Sequence, residues 1–189
     1  MKLYIDPGTG SMLFAVLIGI IGAVAYVFKE WAVKLKFLLT GGKKADTNAE
    51  KIPIVIFSDD KRYWSVFKPI CEEMNSRGID VVYMTASKDD PAFDENLQHL
   101  DAQFIGEGNR AFSKLNFLNA TMLISTTPGL DVFQWKRSKN VDYYVHVLHA
   151  ASNTCGYHMF GIDYYDAVLI SGNHHERDIR ALEKIRNLP

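Results

Sequence analysis

The chain has 189 residues, 48% of them apolar and 23% charged, a composition that supports a buried core and excludes wholesale disorder. The 21 Lys and Arg against 22 Asp and Glu leave a net charge of −1, which argues against a generic nucleic-acid binder because phosphate binding needs a positive field. Two cysteines, Cys71 and Cys155, form no CxxC pair, so a disulfide scaffold and a zinc ribbon are both unexpected.

Charge is unevenly spread. Residues 8–28 carry none, and residues 12–28 (MLFAVLIGIIGAVAYVF) are almost wholly apolar. As a helix, residues 8–28 would extend roughly 31 Å, against a hydrocarbon core of roughly 30 Å. A helix packed on a soluble core would keep a polar face at the 3.6-residue period, and none is visible. The segment therefore reads as a transmembrane helix, with a fully buried helix as one competitor. A cleaved signal peptide is the other: Ala23-Val24-Ala25 has the small-x-small form, but Asp6 precedes the apolar run and only Lys2 supplies positive charge. Lys29, Lys34, Lys36, Lys43 and Lys44 follow the span and hold that side in the cytoplasm. Residues 1–28 are thus expected to form an N-terminal segment and single-pass anchor in the cell membrane. Residues 29–51 form a basic juxtamembrane stretch and linker, broken by Gly41-Gly42.

From residue 52 the pattern becomes short apolar runs alternating with helical stretches. Strands are predicted at 52–58 (IPIVIFS), 79–84, 102–105, 121–125, 142–149 and 166–171. Helices are predicted at 63–77, 110–119 and 175–187, with Gly78 stopping the first. Alternation of this kind implies βαβ units, so residues 52–189 are expected to be an α/β, Rossmann-like domain with a mostly parallel sheet and helices on both faces.

Ligands of such sheets sit beyond the carboxyl ends of the strands, near the switch in strand order. The tips there are Ser58-Asp59-Asp60, Thr85-Ala86-Ser87, Gly106-Glu107-Gly108, Thr126-Thr127-Pro128-Gly129, His149 and Ser171-Gly172-Asn173. Gly106 to Ala111 (GEGNRA) matches GxGxxA, but it follows the third strand rather than the first, and Glu107 would set a negative charge among phosphates; a plain turn is the better reading. No P-loop is present, and no Cys, His and carboxylate set has metal-ligand spacing, so neither metal nor cofactor is expected. His146 and His149 fall on opposite faces of one strand, and His174-His175 read as solvated. His149 closes its strand at the rim, where a neutral imidazole can take a hydroxyl proton near pH 7.

The run from Thr126 to Gly172, with the opening YIDPGTGS, the apolar segment and KLKFLLTGG, resembles a membrane-anchored branch of the bacterial CDP-glycerol glycerophosphotransferase family, in its N-terminal half. The resemblance is most specific around His149 and Tyr164-Tyr165-Asp166. It implies half of a GT-B fold, in which two Rossmann-like domains face across a cleft. It further implies transfer of glycerol phosphate from CDP-glycerol to a polyol-phosphate or glycolipid acceptor, as in teichoic acid synthesis, with CDP-glycerol held by a C-terminal domain. The family base sits in a Trp-His-Gly-x-Pro pattern, where this sequence reads Val147-Leu148-His149-Ala150-Ala151; the histidine matches and the tryptophan, glycine and proline do not.

On that resemblance His149 is the expected catalytic base. Thr126, Thr127 and the Gly129 amide would position the acceptor, Ser171 and Asn173 would line the cleft, and Lys136, Arg137 and Lys139 would attract an anionic acceptor or leaflet. The chain is expected to be a fragment lacking the donor-binding domain, or else a free-standing half-enzyme. Two alternatives stay open: a non-catalytic membrane-tethered binding module, and half of a nucleotide-sugar glycosyltransferase. The expected partners are the membrane, the acceptor and CDP-glycerol, with no nucleic acid. An embedded anchor predicts that alkaline carbonate leaves the chain in the membrane pellet; release into the supernatant, followed by immunoblot, would refute it.

Overall fold

In a computed structural model that describes residues 50–150 and 157–188, the domain is built on one parallel sheet. Its strands are β1 (Ile52–Ser58), β2 (Val81–Thr85), β3 (Leu100–Phe104), β4 (Asn119–Ser125), β5 (Asn140–Val147) and β6 (Ala167–Leu169). The spatial order is β3-β2-β1-β4-β5-β6, and every neighbouring pair is parallel. This is the doubly wound Rossmann-like order, and it reverses direction between β1 and β4. The expected α/β class and parallel sheet are therefore present. Residues 1–49, including the expected anchor, lie outside the described residues, as do 151–156 with Cys155; among the described residues no helix is long and apolar enough to cross a membrane.

The central strands are apolar on both faces because both faces are covered. On one face Ile56, Tyr83, Ile124, Val145 and Val147 pack beneath α1 (Trp64–Ser76), which contributes Trp64, Phe67 and Cys71. Burial pushes the Cys71 thiol up to about 12, so it is an inert packing group. The opposite face places Val55, Phe57, Leu123 and Tyr144 beneath α2 (Asn109–Leu115), with Ala111 and Leu115 turned inward. Right-handed crossovers dictate this division: the chain winds outward from β1 on one side, then returns to β4 on the other.

The β4–β5 crossover, residues 126–139, contains no helix. Trp135 does the covering instead. Its indole, 2% exposed, packs edge-on to Phe57 at 5.3 Å, stacks on Phe112 at 6.0 Å and meets Tyr165 at 6.3 Å. Arg137 fastens the end of the loop. It donates to both carboxylate oxygens of Asp166, at 3.1 and 2.8 Å, and to the Tyr164 carbonyl, and it lies 4.6 Å over the Tyr144 ring. The third helix, α3 (Asn173–Arg186), follows β6, and its last residue Arg186 pairs with Asp163 and covers Phe160.

Since one indole replaces a whole helix, Trp135→Ala is expected to lower unfolding free energy by about 3–5 kcal/mol in urea titration, and Trp135→Phe by clearly less.

Candidate functional site

The strand-order reversal leaves the carboxyl ends of β1 and β4 uncovered by the following chain, because α1 departs to one face and residues 126–139 to the other. Period-two alternation then distributes the side chains. Asp59, Ser125, Thr127 and His146 continue the Phe57 face, while Ser58, Thr126 and His149 continue the Ile56 face. Register supports the grouping: Phe57 pairs with Ser125, and Ser125 with His146.

Most hydroxyls at these tips are spent on local turns. Ser58 donates to the Asp60 carbonyl at 2.8 Å, and Ser125 Oγ accepts the Thr127 amide at 3.0 Å. Thr85 donates to Asp90 at 2.6 Å, and Ser87 accepts from the Lys61 amide at 3.0 Å. Asp60 caps the short 3-10 turn Lys61–Tyr63 by accepting the Arg62 amide at 2.9 Å, which directs the chain into α1. The threonines differ. Thr126 and Thr127 are 1% and 6% exposed, and neither side-chain oxygen has a hydrogen-bond partner of normal geometry.

Asp59, although exposed as a residue, has enough protein around its carboxyl for lost hydration to raise its pKa. The Thr127 hydroxyl lies close enough to work against that rise, as does His149, while Asp60 adds to it. His149 is exposed at the rim and meets Tyr63 edge-on, with ring centroids 4.7 Å apart. His146 is fully buried; its Nε2 lies 3.1 Å from the Tyr157 hydroxyl, and its Nδ1 has no partner. Loss of hydration lowers its pKa to about 3, with a smaller contribution from His149. Tyr165 packs on the same ring at 4.9 Å and donates its hydroxyl to the Thr127 carbonyl; burial pushes that phenol well above its usual range.

Of the residues expected in the site, Thr126, Thr127 and His149 gather at this end of β4 and β5. Ser171 and Asn173 lie one strand further out, beyond the edge strand β6. There Ser171 is taken up by a 3.2 Å contact with His175 Nδ1, and Asn173 begins α3. The Gly129 amide donates to the Gly161 carbonyl at 2.6 Å. Glycine is required there by a φ of +87° and by Phe133, which a Cβ would approach to 2.7 Å. His175 is not solvated but 1% exposed. Arg137 is a structural clamp at the opposite, amino-terminal end of β5, and Lys136 donates to the Asp131 carbonyl at 2.8 Å. The GEGNRA turn lies beyond the edge strand β3, away from the strand-order reversal, and Glu107 pairs with Lys88 at 3.5 Å.

The sequence analysis places His146 on the strand face opposite His149 and Asp59 in a strand tip, and assigns neither a role in the site. A charged or polar side chain two residues past a buried strand position, on the same face, was the available signal. His146 and His149 do diverge in their packing, one against Tyr157 and Tyr165, the other against Tyr63. His149 nevertheless contributes to the lowered pKa of His146. Among the described residues no cluster of His, Cys, Asp and Glu could hold a metal ion. A cleft of about 920 Å³ runs beneath α3 beside Arg137, Tyr164 and Asp166 rather than at the crevice. Comparison with family descriptions, curated proteins and solved structures finds nothing that matches this chain.

The folded-state pKa of His146 lies below its unfolded value near 6.5, so the unfolded chain binds the extra proton. Its contribution to stability is complete above about pH 6.5 and is lost as the pH falls toward about 3. Between those limits wild type should lose about 1.4 kcal/mol per pH unit more than His146→Gln, read from urea unfolding at successive pH values.

Proposed function

We propose that this domain is the acceptor-binding half of a membrane-anchored enzyme resembling the CDP-glycerol glycerophosphotransferases, working at the cytoplasmic face of the cell membrane. The observation that carries the reading is the position of His149. It stands exposed at the carboxyl rim of β5, next to the reversal between β1 and β4, with Thr126, Thr127 and Asp59 beside it. A general base must be reachable by substrate, and the His149 imidazole is exposed at the rim.

In this mechanism an acceptor hydroxyl enters the crevice and gives its proton to His149. Its oxygen attacks the β-phosphorus of CDP-glycerol in line, a new P–O bond forms, and the bond to CMP breaks. Asp59, close enough to His149 for electrostatic coupling, favours the imidazolium that results. Thr126 and Thr127 orient the acceptor. CDP-glycerol is held by a second domain across the cleft, which also supplies the positive charge that a leaving nucleotide needs. The apolar run at 12–28 and the lysines after it keep the domain beside a lipid-borne acceptor.

Membranes from cells whose own gene carries His149→Ala should release CMP from CDP-glycerol at least about 100-fold more slowly than wild type, the usual contribution of a positioned base. Equal rates would remove His149 from the chemistry. CMP release absent from wild-type membranes as well would remove CDP-glycerol as the donor.

A further inference from the structure

Three buried side-chain polar atoms lack a hydrogen-bond partner among the described residues, Thr126 Oγ1, His146 Nδ1 and Trp135 Nε1, and a fourth, Thr127 Oγ1, has only the Asp59 carboxyl close to it. Three of the four lie at the carboxyl ends of two adjacent strands, β4 and β5. Leaving such buried groups unpaired is costly, so their clustering at the strand ends beside the strand-order reversal marks a place where a ligand completes them.

Their chemistry limits what that ligand can be. The two threonine hydroxyls both donate and accept, and the buried imidazole stays neutral. The acidic group at the crevice is Asp59, since Asp60 beside it is paired with Arg62. Cations at the neighbouring tips are already engaged: Lys61 by Asp89, Arg62 by Asp60 at 2.9 Å, and Lys88 by Glu107 at 3.5 Å. Among the described residues, a phosphate placed here would meet the Asp59 carboxylate, with Lys61 and Arg62 beside it already paired. A sugar or polyol would instead donate its hydroxyls to Asp59, exchange hydrogen bonds with Thr126, Thr127 and His146, and lay its C–H edges against Tyr63 and His149.

We infer that the crevice between β1 and β4 binds an uncharged polyhydroxy group, the sugar or polyol head of a neutral acceptor, and discriminates against phosphorylated ones. The inference rests on the acceptor-site reading and narrows it from polyol phosphate or glycolipid to the neutral head of a glycolipid. Asp59 is the element that excludes anions, and Thr126 is the hydroxyl whose removal most directly uncouples binding from folding. A valine there keeps the shape and removes an unpaired buried group.

The test uses the whole chain in lipid nanodiscs, with 15N-labelled histidine and 13C-labelled threonine methyls, titrated with methyl β-D-glucopyranoside, glycerol, glycerol 3-phosphate and inorganic phosphate. The neutral compounds should shift the His146, Thr126 and Thr127 signals saturably, at concentrations at least tenfold below any response to the two phosphates. Asp59→Asn should shrink that ratio to within about threefold, since it removes the repulsion. Thr126→Val should weaken glucoside binding at least fivefold while raising the melting temperature by about 2–4 °C, a pairing that a purely structural threonine would not give. Response to either phosphate at or below the concentration of the neutral compounds overturns the inference, as does no response to any of the four. Both results are independent of CMP release. Loss of the His149 effect with glucoside selectivity intact defeats the transferase mechanism alone, and phosphate preference with the His149 effect intact defeats only the present inference.

Discussion

The handedness of β-strand crossovers is the constraint on which everything else here rests. A right-handed connection sends the chain from β1 through α1 to β2 on one face and back through α2 to β4 on the other. Two neighbouring strands then lose their covering segments to opposite sides. The gap left at their carboxyl ends follows from backbone chirality alone, before any side chain is chosen. What Asp59, Thr126, Thr127 and His149 contribute is the chemistry placed at that gap.

Holding the gap open requires a rigid wall on the β4–β5 side, and the fold obtains it without a helix. Residues 126–139 are pinned at one end by the Gly129–Gly161 hydrogen bond, in the middle by the Trp135 indole and at the far end by the Arg137–Asp166 pair. The Arg137 side chain is 30% exposed, so much of its role is the geometry of several donors converging on Asp166 and Tyr164 rather than net charge stabilisation. That arrangement carries Tyr165 to the Thr127 carbonyl and against His146. The loop is therefore what sets the position of Tyr165 beside Thr127 and His146.

Electrostatically the crevice separates its two histidines. Burial fixes His146 in its neutral form, while His149, only three positions further on, stands exposed at the rim. Asp59 lies between these roles, its carboxyl raised by lost hydration and drawn back by Thr127 and His149.

Much of the architecture was legible from residue order. β1 was predicted with the bounds it has, the other five strands within a few residues, and the parallel class followed from alternation of β-branched runs with helical ones. Those features are local: period, β-branching and glycine stops act over a few residues, and a parallel sheet needs its strands apolar on both faces. The rim position of His149, Thr126 and Thr127 could likewise be read, because it depends only on where a strand ends. Tertiary structure alone decided the strand order, and with it that β1 adjoins β4 while β6 stands at the edge, which separates Ser171 and Asn173 from the crevice. It also decided which polar groups were spent: the Gly129 amide on Gly161, Arg137 on Asp166, Ser171 on His175, with Thr126 and His146 Nδ1 left over. Partners as distant in the chain as Gly161 for Gly129 and Asp166 for Arg137 are chosen by packing in three dimensions, and no periodicity along one chain encodes that choice.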